Sequence, residues 1–268
     1  MEKHDYWVKN PNLKLFKDLE WNIPEQKSGT LNIVGGNSGS FSTVIHTAEF
    51  LSKTFPIKKL NILLPDSLKS KVPPLPDITF LPSTESGSIN KSSTLNDFVD
   101  SADFTLMVGD VSKNSATSIA LSNAIKNTTR PVLLTRDAID SVSPEMTNLI
   151  EREGFYLIGS LAQIQNVFRS VYYPKMILLS QPLLPIIEAL HKFTLSYPTT
   201  ILTFHQDQII VASGGKVVTT PLEKTSYTPI SLWDGQLAGK ISAMNLFTPN
   251  KPLEASVSAL TVKLPHDF

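Results

Sequence analysis

Short apolar runs alternate with amphipathic stretches over most of the chain, which is the pattern of strands feeding helices. Thr30–Gly36 reads as a buried strand ending in glycines, and Thr43–Thr54 as a helix with Val44, Ala48 and Leu51 on one side. Lys59–Pro65 is a second strand, with a short helix from Asp66 and a loop marked by Pro73, Pro74 and Pro76. Ile78–Pro82 is a further strand, and the polar stretch Glu85–Ser93 is expected to be mobile. A helix near Leu95–Ser101 leads into the strand Phe104–Gly109, and another helix, capped by Asn114 or Ser115, runs to about Lys126.

The same period repeats downstream. Strands are expected at Arg130–Thr135, Phe155–Ser160 and Lys175–Ser180, and a helix at Leu183–Leu195. Thr199–Phe204, Gln208–Ala212 and Lys216–Thr220 read as an antiparallel edge. A turn, Ser231–Gly235, then enters an apolar, small-residue helix, and Leu253–Val262 closes the chain as a last helix. Alternation of this kind predicts an α/β fold. The expectation is one doubly wound domain, a three-layer sandwich over residues 30–268, mostly parallel with antiparallel strands at one edge. Residues 1–29 read as an N-terminal arm. Trp7, Leu13, Phe16, Leu19 and Trp21 are too apolar for a free tail, so the arm is expected to pack across the body or across a neighbouring subunit of a homo-oligomer.

Composition removes several kinds of chemistry. The 268 residues carry no net formal charge and only 18% charged residues, so neither nucleic acid nor an anionic membrane is indicated as a partner. There is no cysteine, which excludes disulfides and thiolate catalysis, and the 5 histidines have no metal-ligand spacing. No apolar run reaches the roughly 18 residues of a spanning helix, and the first residues do not form a signal peptide. The expectation is a soluble, cytoplasmic protein without a metal site of its own.

What chemistry remains lies in the loops after strands, where open α/β sheets bind ligands. Gly36, Asn37, Ser38 and Gly39 follow the first strand without the lysine of a phosphate-binding loop. Gly109 and Asp110 follow the Phe104 strand, and Asp137 the Pro131 strand. The organising stretch is Trp233-Asp234-Gly235, where unpaired N–H groups opening a helix would suit a phosphate. Asp234 has two readings on these residues alone, a proton-transferring carboxylate or a helix cap.

Taken in order, the loops resemble the ribokinase-like superfamily, and within it the ADP- or ATP-dependent NAD(P)H-hydrate dehydratases. The likeness rests on Gly35-Gly36-Asn37-Ser38-Gly39, Leu63–Leu68, Gly109–Thr117, and Pro131–Ala138 against an Asp-Ala-Asp-Ala signature. It also rests on Gln236-Leu237-Ala238-Gly239 against a Gly-Ser-Gly-Asp-x-Leu-Ala-Gly turn. The resemblance implies ADP or ATP with Mg²⁺ as cofactors and hydrated NADH or NADPH as substrate. Asp234 would be the catalytic base. His205, Gln206, Asp207, Gln208, Trp233 and Gly235 would bind nucleotide, and Gly36–Gly39, Gly109, Asp110 and Asp137 the substrate. Departures fall at the same places. Gly235 stands where the family's catalytic aspartate would, one residue after Asp234. His205 and Gln206 replace a lysine and a glycine, Thr135 replaces the first aspartate of the signature, and no Thr-Pro-His-Pro-Gly-Glu motif is present around Ile158–Ser160. Three functions follow as expectations: a dehydratase, a small-molecule kinase on the same fold, or a non-catalytic descendant that binds a nucleotide or a protein partner.

Overall fold

The structure is a computed structural model describing residues 5–72 and 77–262. The loop marked by Pro73, Pro74 and Pro76 lies outside the described residues. In chain order the elements are β1 (Trp7–Lys9), β2 (Ser28–Gly35), α1 (Ser42–Thr54), β3 (Ile57–Pro65), β4 (Ile78–Leu81), α2 (Ser93–Asp100) and β5 (Phe104–Gly109). Next come α3 (Ser115–Lys126), β6 (Val132–Thr135), α4 (Asp137–Val142), α5 (Met146–Leu149), β7 (Phe155–Ile158), α6 (Leu161–Ser170) and α7 (Leu183–Ser196). The chain finishes with β8 (Thr199–His205), β9 (Gln208–Ser213), β10 (Lys216–Pro221), α8 (Gln236–Phe247) and α9 (Pro252–Ser258).

One 10-stranded sheet runs in the order β1-β10-β9-β8-β7-β6-β5-β2-β3-β4. All neighbours pair in parallel except β8 with β9 and β9 with β10. The doubly wound α/β sandwich is therefore present, with β9 alone reversed near one edge. Strands such as β5, buried at every position, are the continuous apolar runs of a sheet covered on both faces. One face carries a core of α2–α7 side chains, with Phe168 and Phe193 stacked 4.0 Å apart; α1, α8 and α9 cover the other. Helix α8 sits flat against α1 because Gly239 leaves room for Leu51 and the Thr47 methyl.

The chain order and the sheet order disagree at two places, β1, which lies beside β10, and the step from β4 to β5. β2, β3 and β4 build outward in one direction, and β5 then returns to the other side of β2. The step back from β4 to the far side of β2 is the switch point, with the helices that follow β2 and β5, α1 and α3, on opposite faces of the sheet.

Three local expectations are corrected. Lys175–Ser180 is no strand: β8 pairs directly with β7, and only Ile177 of this stretch is buried, while Met176, Leu178 and Leu179 face solvent. The stretch Glu85–Ser93 is pinned rather than mobile, because Ser88 and Ile89 are fully buried and Gly87 O accepts from Ser38 N at 2.9 Å. The closing helix stops at Ser258 instead of reaching Val262.

The arm lies on the body of its own chain. Trp7–Lys9 extend the sheet beside β10, Trp7 Nε1 donates to Thr219 Oγ1 at 3.0 Å, and Leu19 is buried in the α1/α8/α9 core. Trp21 is different, at 91% exposed. Deleting residues 1–22 should bare the β10 edge and the surface under Leu19, so aggregation or a lower melting temperature is expected by light scattering and calorimetry. Trp21→Ser should stay within about 0.5 kcal/mol of the parent chain, as exposed substitutions usually do.

Candidate functional site

At the switch point the two glycine loops are laced together. Gly36 N donates to Gly109 O at 3.0 Å, and Asn37 Nδ2 donates to Asp110 O at 2.6 Å. Asn37 Oδ1 turns back to accept from Gly39 N at 2.8 Å and Ser40 N at 3.2 Å, so this loop is closed on itself. Gly35 permits the approach, since a Cβ there would collide with Gly109 O. Ser38 is held from outside by Gly87 and by the Lys71 ammonium, which donates to Ser38 O at 2.7 Å.

Asp137, the first residue of α4, reaches across from the end of β6. Its Oδ1 accepts from Asp110 N at 2.8 Å and its Oδ2 from Val111 N at 2.9 Å. Both oxygens are thus spent on the backbone of the neighbouring loop, which makes Asp137 a brace. Burial raises its carboxyl above 3.8, while the two N–H groups and the Arg136 charge pull it back down.

Arg136 is the residue that sequence reasoning missed. Its Nη2 donates to Asp110 Oδ1 at 2.7 Å in an ion pair whose side chains are 14% and 3% exposed. The signal was there, since the resembling signature has alanine at this place and a charged side chain beside a buried strand end needs a partner.

The Asp234 turn closes over this cluster from the α8 side. Trp233 lies 6.0 Å from the Arg136 guanidinium carbon, and Gly235, at φ 79°, presses against Thr43 and Thr47 of α1 so closely that no Cβ would fit. Asp234 Oδ1 accepts from Gln236 N at 2.8 Å. Its carboxylate therefore sits on the N–H groups that were expected to meet a phosphate. Partial burial raises its carboxyl above 3.8, and the Gln236 and Leu237 N–H groups oppose that rise. A cavity of about 220 Å³ opens beside it, lined by Phe50, Tyr227, Asp234, Gln236 and Lys240 among others.

The raised carboxyl has a pH consequence with a definite sign. A carboxyl raised on folding favours the native state most while protonated, below 3.8, and that contribution is lost as pH rises through the folded value. Asn caps as well as Asp but does not ionise. Relative to the parent, Asp234→Asn should therefore gain stability as pH rises above 3.8, measured by urea unfolding at a series of pH values.

The structure thus gathers Gly36–Gly39, Gly109–Asp110, Asp137 and Trp233–Gly235 at one sheet edge. The His205–Gln208 hairpin stands apart. It follows β8, three strand spacings or roughly 14 Å from β5. His205 Nε2 is 2.9 Å from Gln181 O, Asp207 O accepts from Leu222 N at 2.8 Å, and Gln206 makes the turn at φ 53°. A cavity of about 800 Å³ lies between α3, α4 and α6, lined by Asn114, Ser118, Asp140, Gln163 and Arg169 among others. It touches the site through Gln163, whose Nε2 donates to Arg136 O at 2.7 Å.

No protein-family model matches the sequence, and no curated protein matches it. Solved structures do. A ribokinase-like superfamily protein from Enterococcus faecalis matches with TM-score 0.69 at 13% identity, over 97% of this chain and 87% of that one. Bacillus subtilis YxkO, of the UPF0031 family, matches with TM-score 0.62 at 17% identity, over 94% and 87%. The ADP/ATP-dependent NAD(P)H-hydrate dehydratase of Bacillus subtilis, co-crystallised with ATP and Mg²⁺, matches with TM-score 0.58 at 15% identity, over 92% and 84%. At these identities the likeness is one of architecture. The chain has the ribokinase-like fold.

Proposed function

We propose that the chain is a nucleotide-binding protein of the dehydratase type that no longer carries out phosphoryl transfer. One observation carries the second half of that reading: Asp234 Oδ1 holds the Gln236 N–H at 2.8 Å. The would-be base occupies the anion site that its own substrate's phosphate would need, and the family's base position is filled by Gly235. Nucleotide binding is supported by the fold and by the His205–Gln208 hairpin, which follows a strand parallel to β5 and so opens at the same end of the sheet, apart from the Asp234 turn. Roughly 14 Å between strands β5 and β8 is a span a nucleoside diphosphate can bridge. Among the described residues no three acids or histidines gather as a metal cage, so Mg²⁺ would be held by phosphate oxygens and water. The protein is taken to act in the cytoplasm.

A second reading is favoured by a separate observation. Burial moves the Asp234 carboxyl upward, toward the range in which a base works near neutral pH. A phosphate that displaced the carboxylate from Gln236 would restore a dehydratase or a small-molecule kinase.

Two measurements decide. ADP or ATP with Mg²⁺ should raise the melting temperature, since a ligand of the native state stabilises it. Hydrated NADH with either nucleotide should show no turnover, and Asp234→Asn should leave nucleotide binding unchanged. Turnover that falls by roughly 10²–10⁴ in Asp234→Asn would replace this reading with the enzymatic one. Absence of any thermal shift would remove nucleotide binding itself.

A further inference from the structure

The outer surface of the α3–α7 layer carries two features that nucleotide binding leaves unused. One is the segment between α6 and α7, Tyr172–Pro182. Its Tyr172, Met176, Leu178 and Leu179 are 89%, 48%, 47% and 53% exposed, and Leu184 at the start of α7 is 37% exposed. Only Ile177 of the segment is buried. Gln165 Nε2 of α6 donates to Ile177 O, and Lys175 pairs with Glu188 of α7 at 3.1 Å, so the segment is held down as a strap. A run of exposed large apolar side chains marks an interaction surface.

The other feature is the cavity of about 800 Å³ on the opposite flank of α6, a groove between α6, α3 and α4. Its walls present Ile119, Pro144 and Ala162, and Ile119 is 51% exposed. Ser141 lines it too, with a buried Oγ that has no partner among the described residues. The charged side chains of the groove, Lys113, Arg169, Asp140 and Glu145, sum to zero.

We infer that this face is a two-fold contact between two copies of the chain, the strap of each seated in the groove of the other. Strap and groove flank the same helix, so a two-fold axis running along α6 sets each opposite its complement. Charge agrees. No charged residue lies between Met176 and Ile187, and Lys175 is already paired, so the strap offers an uncharged surface to a groove without net charge. An acidic partner or an anionic lipid surface finds no free cation there. Area agrees too. Each copy buries both features, and a strap and a groove wall of roughly 400 Å² each reach the about 800 Å² per partner of a stable dimer. Ser141 Oγ can then accept from a backbone N–H of the entering strap. The N-terminal arm is no substitute, because it is spent on its own sheet and core. The contact uses no residue assigned to nucleotide binding and stands whether or not that reading does.

The test is the mass of the full chain by sedimentation equilibrium over a dilution series, and a reversible dimer is expected. Leu179→Asp places a charge at a position that the fold leaves exposed, so it should weaken the dimer at least tenfold while circular dichroism stays unchanged. Ser118→Arg fills the groove and should do the same from the other side. The chain has no cysteine, so Leu179→Cys and Ser118→Cys chains can be mixed and treated with a short bismaleimide. Cross-linking between unlike chains is expected, and it decides the matter should Leu179→Asp fail to fold. A single-chain mass at every dilution would overturn the assignment, and binding of that monomer to phosphatidylcholine vesicles would give the strap to a lipid surface instead. A dimer that survives both substitutions, or mixed chains that do not cross-link, would place the contact elsewhere and overturn it as well.

Discussion

Alanine at Gly109 should lower the melting temperature by roughly 6–20 °C, the equivalent of about 3–5 kcal/mol in a chain of this size. Gly109 sits at φ 101°, a conformation open to glycine and strained for any residue with a Cβ. A Cβ there would be driven into Asp137 Oδ1, with Arg136 Cβ only 3.2 Å away on the other side. Asp137 has nowhere to retreat, because its two oxygens hold the N–H groups of Asp110 and Val111. The cost therefore combines backbone strain with the loss of the brace between the β5 and β6 loops. Calorimetry on the purified variant checks it, and a melting temperature within about 2 °C of the parent would show that the loops are less tightly coupled than these distances require.

That coupling explains what could be read from the sequence and what could not. The fold was legible because its strands are apolar runs of the right length at the right interval. Phe104–Gly109 is such a run, and every position of it is buried in the sheet. The cap of α3 was legible as Asn114 or Ser115, and Asn114 is the one, its Oδ1 accepting from Thr117 N at 2.8 Å. Lys175–Ser180 misled because its apolar residues look like a strand locally, and only the direct pairing of β7 with β8 shows that the sheet has no slot for it. Glu85–Ser93 misled in the opposite sense: Glu85, Ser86, Lys91 and Ser93 are exposed, but the middle of the stretch is buried, and Ser88 Oγ accepts from Ser112 N at 3.1 Å.

At the site the limits were of a different kind. Spacing brought the loops to one edge correctly because strand polarity alone does that. It offered the bond from Gln236 N to Asp234 as one of two readings of that carboxylate, but it could not tell that Asp137 faces the backbone or that Arg136 swings into Asp110. Those are choices of side-chain direction made by the tertiary contacts. Family resemblance pulled the reading toward Asp234 and away from Arg136, whose counterpart in the signature is an alanine without chemistry.

The second large effect concerns that same arginine. Asp110→Asn should cost about 3 kcal/mol, because it leaves the Arg136 guanidinium 14% exposed with no counter-charge bonded to it. Asparagine is the right replacement to test this, since it keeps the size of the side chain and tolerates the φ of 56° that position 110 requires. Adding Arg136→Met should return most of the lost stability. Removing both charges spares the desolvation that a lone buried cation suffers, and an apolar chain of similar length fills the space under Trp233. The two changes should therefore couple strongly in a double-mutant cycle read by urea unfolding. Additive losses would mean that Arg136 reaches water in solution and that Asp110 stabilises it little. Recovery in the double variant would separate stability from function: an apolar pair would hold the switch point together as well as the ion pair does, and the two charged groups would then be there for what they bind.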